Sequence, residues 1–235
     1  MSDVPVDVED IATLAFVPLK PSQPLLPRPP VDLTRFPMAH RVQRLLDQSL
    51  ASLVRRLRRH GPLDGAAIVL LTGGRPGVGC TTMALALAAA AAGERAVLLI
   101  DGSVGSAGLS AEFGEPAGWR EMVREGRPLA SLIQHPDRDG LIDVLPAGLE
   151  NTTAEPISHG DLAAWLAQLR EDYNLILIDG GTVEPTGTRW AARADATLLV
   201  CGTDPQAARH WAHAWDRLEE AGASVLGIIE TFVEE

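Results

Sequence analysis

The chain has 235 residues, enough for one large domain or a domain with an arm, and its composition (46% hydrophobic, 22% charged) is that of a globular protein with a core. A formal net charge of -11 argues against general nucleic-acid binding, which needs a cationic surface to release counterions. No apolar run reaches the roughly 18–20 residues of a membrane span; the longest, Met83 to Ala92, stops at Gly93 and Glu94.

The N-terminus opens with Asp3, Asp7, Glu9 and Asp10, not with a basic leader, so no secretory signal is expected. Residues 1–37 then hold eight of the chain's 17 prolines, which fix their own φ and bias their neighbours away from helix. This arm reads as a disordered leader or as a docking peptide with Ile11 to Leu19 as apolar anchor. The remainder, 38–235, reads as one domain.

From Met38 to His60, apolar residues recur at three- and four-residue steps (Val42, Leu45, Leu46, Leu50, Leu53, Val54, Leu57), the pattern of an amphipathic helix. The same stretch carries Arg41, Arg44, Arg55, Arg56, Arg58 and Arg59 against one acid, Asp47. In an acidic protein this is a charge island, either a solvated face or a contact to an acidic partner or anionic lipid.

After Gly61 the pattern repeats strand, turn and helix. Strands are expected at 66–72, 96–100, 141–145, 175–178, 196–201 and 225–229, and helices at 81–92, 121–124, 129–133, 161–170 and 206–221. Apolar strands without alternation are buried on both faces. Alternating with helices, they indicate an α/β fold with a doubly wound, mostly parallel sheet and helices on both sides.

The turn after the first strand reads Gly73-Gly74-Arg75-Pro76-Gly77-Val78-Gly79-Cys80-Thr81-Thr82. Against G-x-x-x-x-G-K-[ST], Gly74 and Gly79 are the glycines and Thr81 the magnesium-binding hydroxyl, but Cys80 stands where the lysine belongs. The glycines let successive backbone N–H groups converge on an anion, and the following helix adds its dipole. A phosphate-binding loop over Gly74 and Pro76 to Thr82 is therefore expected. A thiol is neutral and a weak donor, so the charge that neutralises a departing phosphoryl group is missing. Losing one charge-assisted bond costs about 1.5–3 kcal/mol. The chain's only lysine is Lys20, in the arm. Arg75 lies five residues earlier with different geometry, and a nucleophilic Cys80 would need a positioned base that is not in view.

From about Met38 to Val233 the sequence resembles the cytoplasmic domain of bacterial tyrosine kinases of the capsule and exopolysaccharide type, relatives of the MinD and ParA ATPases. The resemblance is carried by Pro76 to Thr81, by Val97 to Asp101, by Leu145 to Gly148, by Leu169 to Asp179 as a Walker B strand, and by Leu226 to Ile229. It implies ATP or ADP with Mg2+ as cofactors, Thr81, Asp101 and Asp179 as metal-site or catalytic residues, and Arg41 and Arg44 as partner-binding. It also implies a membrane-bound polysaccharide chain-length regulator, or an active kinase relative, as partner to a cytoplasmic protein that could be recruited to the membrane or form homo-oligomers. The departures point one way. The family's D-A-D-L-R is Asp101-Gly102-Ser103-Val104-Gly105, its T-P-P is Gly180-Gly181-Thr182, and its tyrosine cluster is absent, leaving only Tyr173. The expectation is a pseudokinase in which nucleotide binding is doubtful. An active ATP-dependent tyrosine kinase or ATPase with a variant loop is the alternative, with a MinD/ParA-like positioning ATPase ranked last.

Among smaller features, His210, His213 and Asp216 share a helix without a ligand cluster of metal spacing. Trp211 and Trp215 read as packing, and Cys201 as a small buried hydrophobe.

Overall fold

The computed structural model describes residues 37–62, 66–92, 96–103, 109–110, 117–134, 142–148, 159–183, 187–202 and 207–231. The arm at 1–36, with its apolar stretch, lies outside them. Twelve elements follow in order: α1 (Pro37–Leu57), β1 (Ala67–Gly73), α2 (Cys80–Ala92), β2 (Val97–Asp101), α3 (Trp119–Glu125), β3 (Ile142–Leu145), α4 (His159–Asp172), β4 (Leu175–Thr182), α5 (Thr188–Ala191), β5 (Ala196–Gly202), α6 (Ala207–Glu220) and β6 (Val225–Thr231). Short 3-10 turns occupy 58–60 and 129–131.

The six strands form one parallel sheet in the order β3-β2-β4-β1-β5-β6. The chain leaves β1 toward β2 and β3, returns to insert β4 beside β1, and then builds outward through β5 and β6. The loop after β1 and the end of β4 therefore meet where the strand order changes direction, which is where open α/β sheets bind ligands. β1 and β5 are buried at every residue, as strands covered on both faces must be.

One face of the sheet carries α1 and α2. Alanines make up most of α2, so its backbone comes close to both the sheet and α1; it is buried nearly all round, with Met83, Leu85 and Leu87 as its larger anchors. Arg58, part of the basic island, donates to Ala91 O at 3.1 Å and so satisfies a carbonyl at the end of α2. Arg41, Arg55, Arg56 and Arg59 are exposed; the Arg44 side chain lies outside the described residues.

The other face carries α3 to α6 over a core rich in tryptophan, with Trp119, Trp165 and Trp190 buried together. At the N-terminal ends of the strands, Arg170 forms a two-pronged ion pair with Asp195 (2.7 and 2.8 Å), and Asp195 also accepts the Ile68 amide at 2.7 Å. This ties α4 to β1 and to the turn before β5.

Four differences from the sequence reading matter. β4 runs on through Gly180, Gly181 and Thr182, where a glycine pair ordinarily ends a strand, because Gly73 still pairs with Thr182 across a bulge. The four-residue α5, unmarked by any periodicity, delivers Trp190 to the core. β6 extends to Thr231 and is the edge strand, with alternate residues outward and Leu226 and Ile228 exposed. On α6, Trp215 packs against the core while Trp211 is exposed, so the packing expectation describes one of the two.

Candidate functional site: the loop after β1

The glycine loop has the shape its sequence implies. Gly77 and Gly79 hold φ of 79 and 94°, in the left-handed region, which lets the chain curl between β1 and α2. Gly74 is required by crowding, because a Cβ there would lie 2.5 Å from the His210 carbonyl oxygen in the first turn of α6. Pro76 and Gly77 are exposed at the tip, whereas Val78 turns inward and is buried. Thr231, at the end of β6, holds the loop from below. Its hydroxyl lies 2.6 Å from Val78 O and 3.0 Å from Cys201 O, sharing one proton between two carbonyls. The helix begins as Met83 N donates to Gly79 O at 2.9 Å.

Cys80 occupies the first position of α2 and is buried under β1; a Cβ on Gly73 would stand 3.1 Å from its sulfur. Burial raises the thiol well above its ordinary range, and the charge of Asp179 and the neighbouring Cys201 raise it further. The group is therefore a neutral thiol at physiological pH. Cys201 is likewise pushed up to about 11, first by burial and then by Glu230.

Asp179, within β4 where its apolar run gives way to Gly180 and Gly181, is fully buried. It accepts the Thr81 hydroxyl at 2.6 Å and the Gly181 amide at 3.2 Å. Burial raises its pKa to about 6, against the lowering effect of the Thr81 bond, and Asp101 raises it further. Thr82, the next residue of the helix, is half-buried. Asp101 lies in register with Asp179 on the adjacent strand, and its carboxylate is already saturated. Oδ1 accepts Ser103 N and Oγ at 3.0 and 2.6 Å, and Oδ2 accepts Ser110 N and Oγ at 2.6 and 2.5 Å.

The fit to a nucleotide and its metal divides accordingly. The loop's curvature suits a phosphate, and the paired Thr81 and Asp179 are of the kind that hold magnesium. The charge does not suit: a buried neutral thiol replaces the cation, and Asp101 has no lone pair to spare. No group of three or more His, Cys, Asp or Glu with metal-holding geometry occurs among the described residues, His210, His213 and Asp216 included. Tyr173 is buried, its hydroxyl donating to Asp143 at 2.7 Å.

Ser103 was read only as a departure from the kinase-type pattern, and Ser110, Trp119, Trp190 and Thr231 were not singled out from the sequence. Their roles depend on strand ends that meet only in three dimensions, and no spacing along the chain signals them.

A six-stranded parallel sheet in this order, with a glycine loop leading from β1 into a helix and paired acids on β2 and β4, is the P-loop NTPase fold of the MinD/ParA-like class. The sequence model for the cellulose biosynthesis protein BcsQ matches residues 66–222, and the chain belongs to that family. Solved structures agree on the fold. The BceF tyrosine kinase domain superposes with a TM-score of 0.64 at 22% identity, covering 88% of this chain and 92% of its own. The kinase domain of the Escherichia coli tyrosine kinase ETK gives 0.61 at 22% identity, with 79% and 78% covered. The MinD cell division protein of Aquifex aeolicus gives 0.58 at 21%, with 72% and 70% covered. No curated protein matches the sequence significantly. Among the described residues no helix is long and apolar enough to cross a membrane.

Proposed function

We propose that this chain is a regulatory member of the BcsQ family that acts in the synthesis or export of an extracellular polysaccharide, cellulose being the one the family description names, without transferring phosphate. The observation that carries this reading is Cys80: a buried, neutral thiol in the position where a P-loop holds its cation. Loss of that one charge-assisted contact slows turnover by roughly ten- to hundredfold at about 1.36 kcal/mol per decade. The protein then acts through its surfaces, docking on a membrane-bound chain-length regulator or on an active kinase relative, with the exposed arginines of α1 as the cationic side of that contact.

Calorimetry with ATP and ADP, with and without magnesium, on wild type and Cys80→Lys tests the central point. The expected result is no measurable binding to wild type and binding to Cys80→Lys, which would identify the loop as a preserved shape lacking its charge. The pairing of Thr81 with Asp179 is what favours the second reading, an ATPase or tyrosine kinase with a variant loop. Magnesium-dependent phosphate release by wild type, abolished in Asp179→Asn, would establish that reading and retire the first.

A further inference from the structure

Residues 101–103, at the end of β2 and just beyond it, have their peptide groups bonded. Gly102 N donates to Asp179 O at 2.9 Å, and Ser103 N to the Asp101 carboxylate. The carbonyls of three consecutive residues are taken as well: Asp101 O by the Trp119 indole at 2.7 Å, Gly102 O by the Trp190 indole at 3.1 Å, and Ser103 O by the Arg120 guanidinium at 3.1 Å. Those donors are themselves fixed. Trp119 and Trp190 stack edge to face at 5.8 Å, Trp165 lies 6.0 Å from Trp190, and Arg120 sits over the Trp119 ring at 5.2 Å. Ser110, which supplies half of the donors to Asp101, also accepts the Ala147 amide at 2.8 Å, and so ties in the end of β3.

Three of the residues at which the chain departs from the kinase-type pattern, Gly102, Ser103 and Gly181, meet here. Gly102 leaves room for Trp190, since a Cβ there would stand 2.6 Å from the indole nitrogen and 2.9 Å from Ile178. Ser103 gives Asp101 two donors; an aspartate in its place would set a second carboxylate against the first. Gly181 holds φ of 59° and donates its amide to Asp179, two things a proline could not do, and a Cβ there would stand 3.0 Å from Ser103 Cβ. These substitutions are mutually consistent. Decay at separate positions would leave unpaired polar groups along the chain, yet the Gly102 and Ser103 amides and the carbonyls of 101–103 are all bonded; the Trp165 indole, which packs behind Trp190, is the donor of this cluster left without an acceptor.

We infer that residues 101–103 form a fixed strut rather than a segment that moves with the state of the phosphate-binding loop, with Ser103 and Ser110 as its positioning residues. Displacing it would strand several buried donors and acceptors at once, each costly when left unmade. The strut holds the ends of β2, β3 and β4 and the start of α3 in one arrangement, so the surface they build is presented constitutively. This inference does not depend on whether the loop binds nucleotide.

Hydrogen exchange on the full chain tests it, using wild type, Ser103→Ala/Ser110→Ala, Trp190→Phe and Cys80→Lys, each with and without ADP and magnesium. In wild type, amides at 102, 103, 110 and 119–121 should exchange within about tenfold of those in β2, with or without ADP. The double serine variant should speed exchange at 102, 103 and 110 by at least about tenfold while β1 and β5 stay unchanged. Trp190→Phe, which keeps an aromatic side chain and removes the indole donor, should speed 102–103 by roughly threefold or more, and decides the matter if the serine variant does not fold. Exchange at 102, 103 and 110 more than about a hundredfold faster than in β2, or slowed more than about tenfold by ADP in wild type or Cys80→Lys, would overturn the inference. Protection of 74–82 by ADP in wild type would instead count against the proposed function and leave the strut standing.

Discussion

Asp179→Asn should make the protein more stable at neutral pH, although it removes an acid from the centre of the site. In the unfolded chain this carboxyl titrates near 3.8, and in the folded protein near 6, because burial disfavours its charge. Between those values the folded state keeps a proton that the unfolded state has released, so stability falls as pH rises from about 4 to about 6. Above pH 6 the folded state carries the full penalty, about two pKa units or about 3 kcal/mol. Asparagine abolishes the charge and can still accept the Thr81 hydroxyl. Its amide group then faces the Gly181 N–H, so the bond at 3.2 Å is lost at a cost of about 1 kcal/mol. The charged or ionisable groups facing this site are Asp101 and Cys80; the neutral thiol adds no charge, and Asp101 strengthens the effect. The net expectation is about 1–2 kcal/mol of added stability at pH 7.5, vanishing or reversing slightly at pH 4. Urea unfolding followed by circular dichroism at pH 4, 5, 6 and 7.5 measures both the gain and the slope. A variant less stable than wild type at pH 7.5, or one whose stability still declines between pH 4 and 6 as steeply as wild type, would refute the reasoning.

Cys80 and Cys201 should label with maleimide at least about a hundredfold more slowly in the folded protein than in urea at pH 7.5, since both are buried and raised in pKa; rapid labelling of the folded chain would contradict this placement. Gly102→Ala should cost about 1–3 kcal/mol in urea unfolding, because its methyl group meets the Trp190 indole at 2.6 Å; a neutral result would mean that this contact is loose. Arg170→Ala should cost about 2–3 kcal/mol by the same measurement, as it leaves Asp195 half-buried without its partner. Arg58→Ala should cost about 1 kcal/mol, and a loss near zero would show that solvent serves the Ala91 carbonyl equally well.

The sheet was legible because its strands are unbroken apolar runs that end in a glycine loop at Gly73 or in acids at Asp101 and Asp179. Burial on both faces writes itself into composition. The loop was legible because the glycines of a phosphate-binding turn have a fixed spacing, and the Cys80 substitution could be weighed against one known position. What the sequence did not carry was the use made of Asp101. A carboxylate that ends a strand looks the same whether it faces a metal or four serine donors. Two of those donors belong to Ser103 and two to Ser110, nine residues from Asp101, and the Trp190 indole that fixes the adjoining Gly102 carbonyl comes from 88 residues away. The four residues of α5 are too few to show a helical period, so the arrival of Trp190 in the core could not be anticipated either. β4 was read short for a related reason: Gly180 and Gly181 look like a terminus until pairing with β1 is known.

The hydroxyl of Thr231 reaches Val78 across 153 positions of chain, from the last strand of the sheet back to the turn after the first. As the polypeptide is made, β1 and α2 can form their strand-turn-helix unit early, but this fastening waits for β6 to dock at the edge. The glycine turn is thus first in sequence and last to be completed, and its final shape records that the whole sheet has assembled. A chain ending at Glu230 keeps all six strands in large part and loses the one bond from β6 that holds Val78, so its turn would be looser at almost no cost to the core.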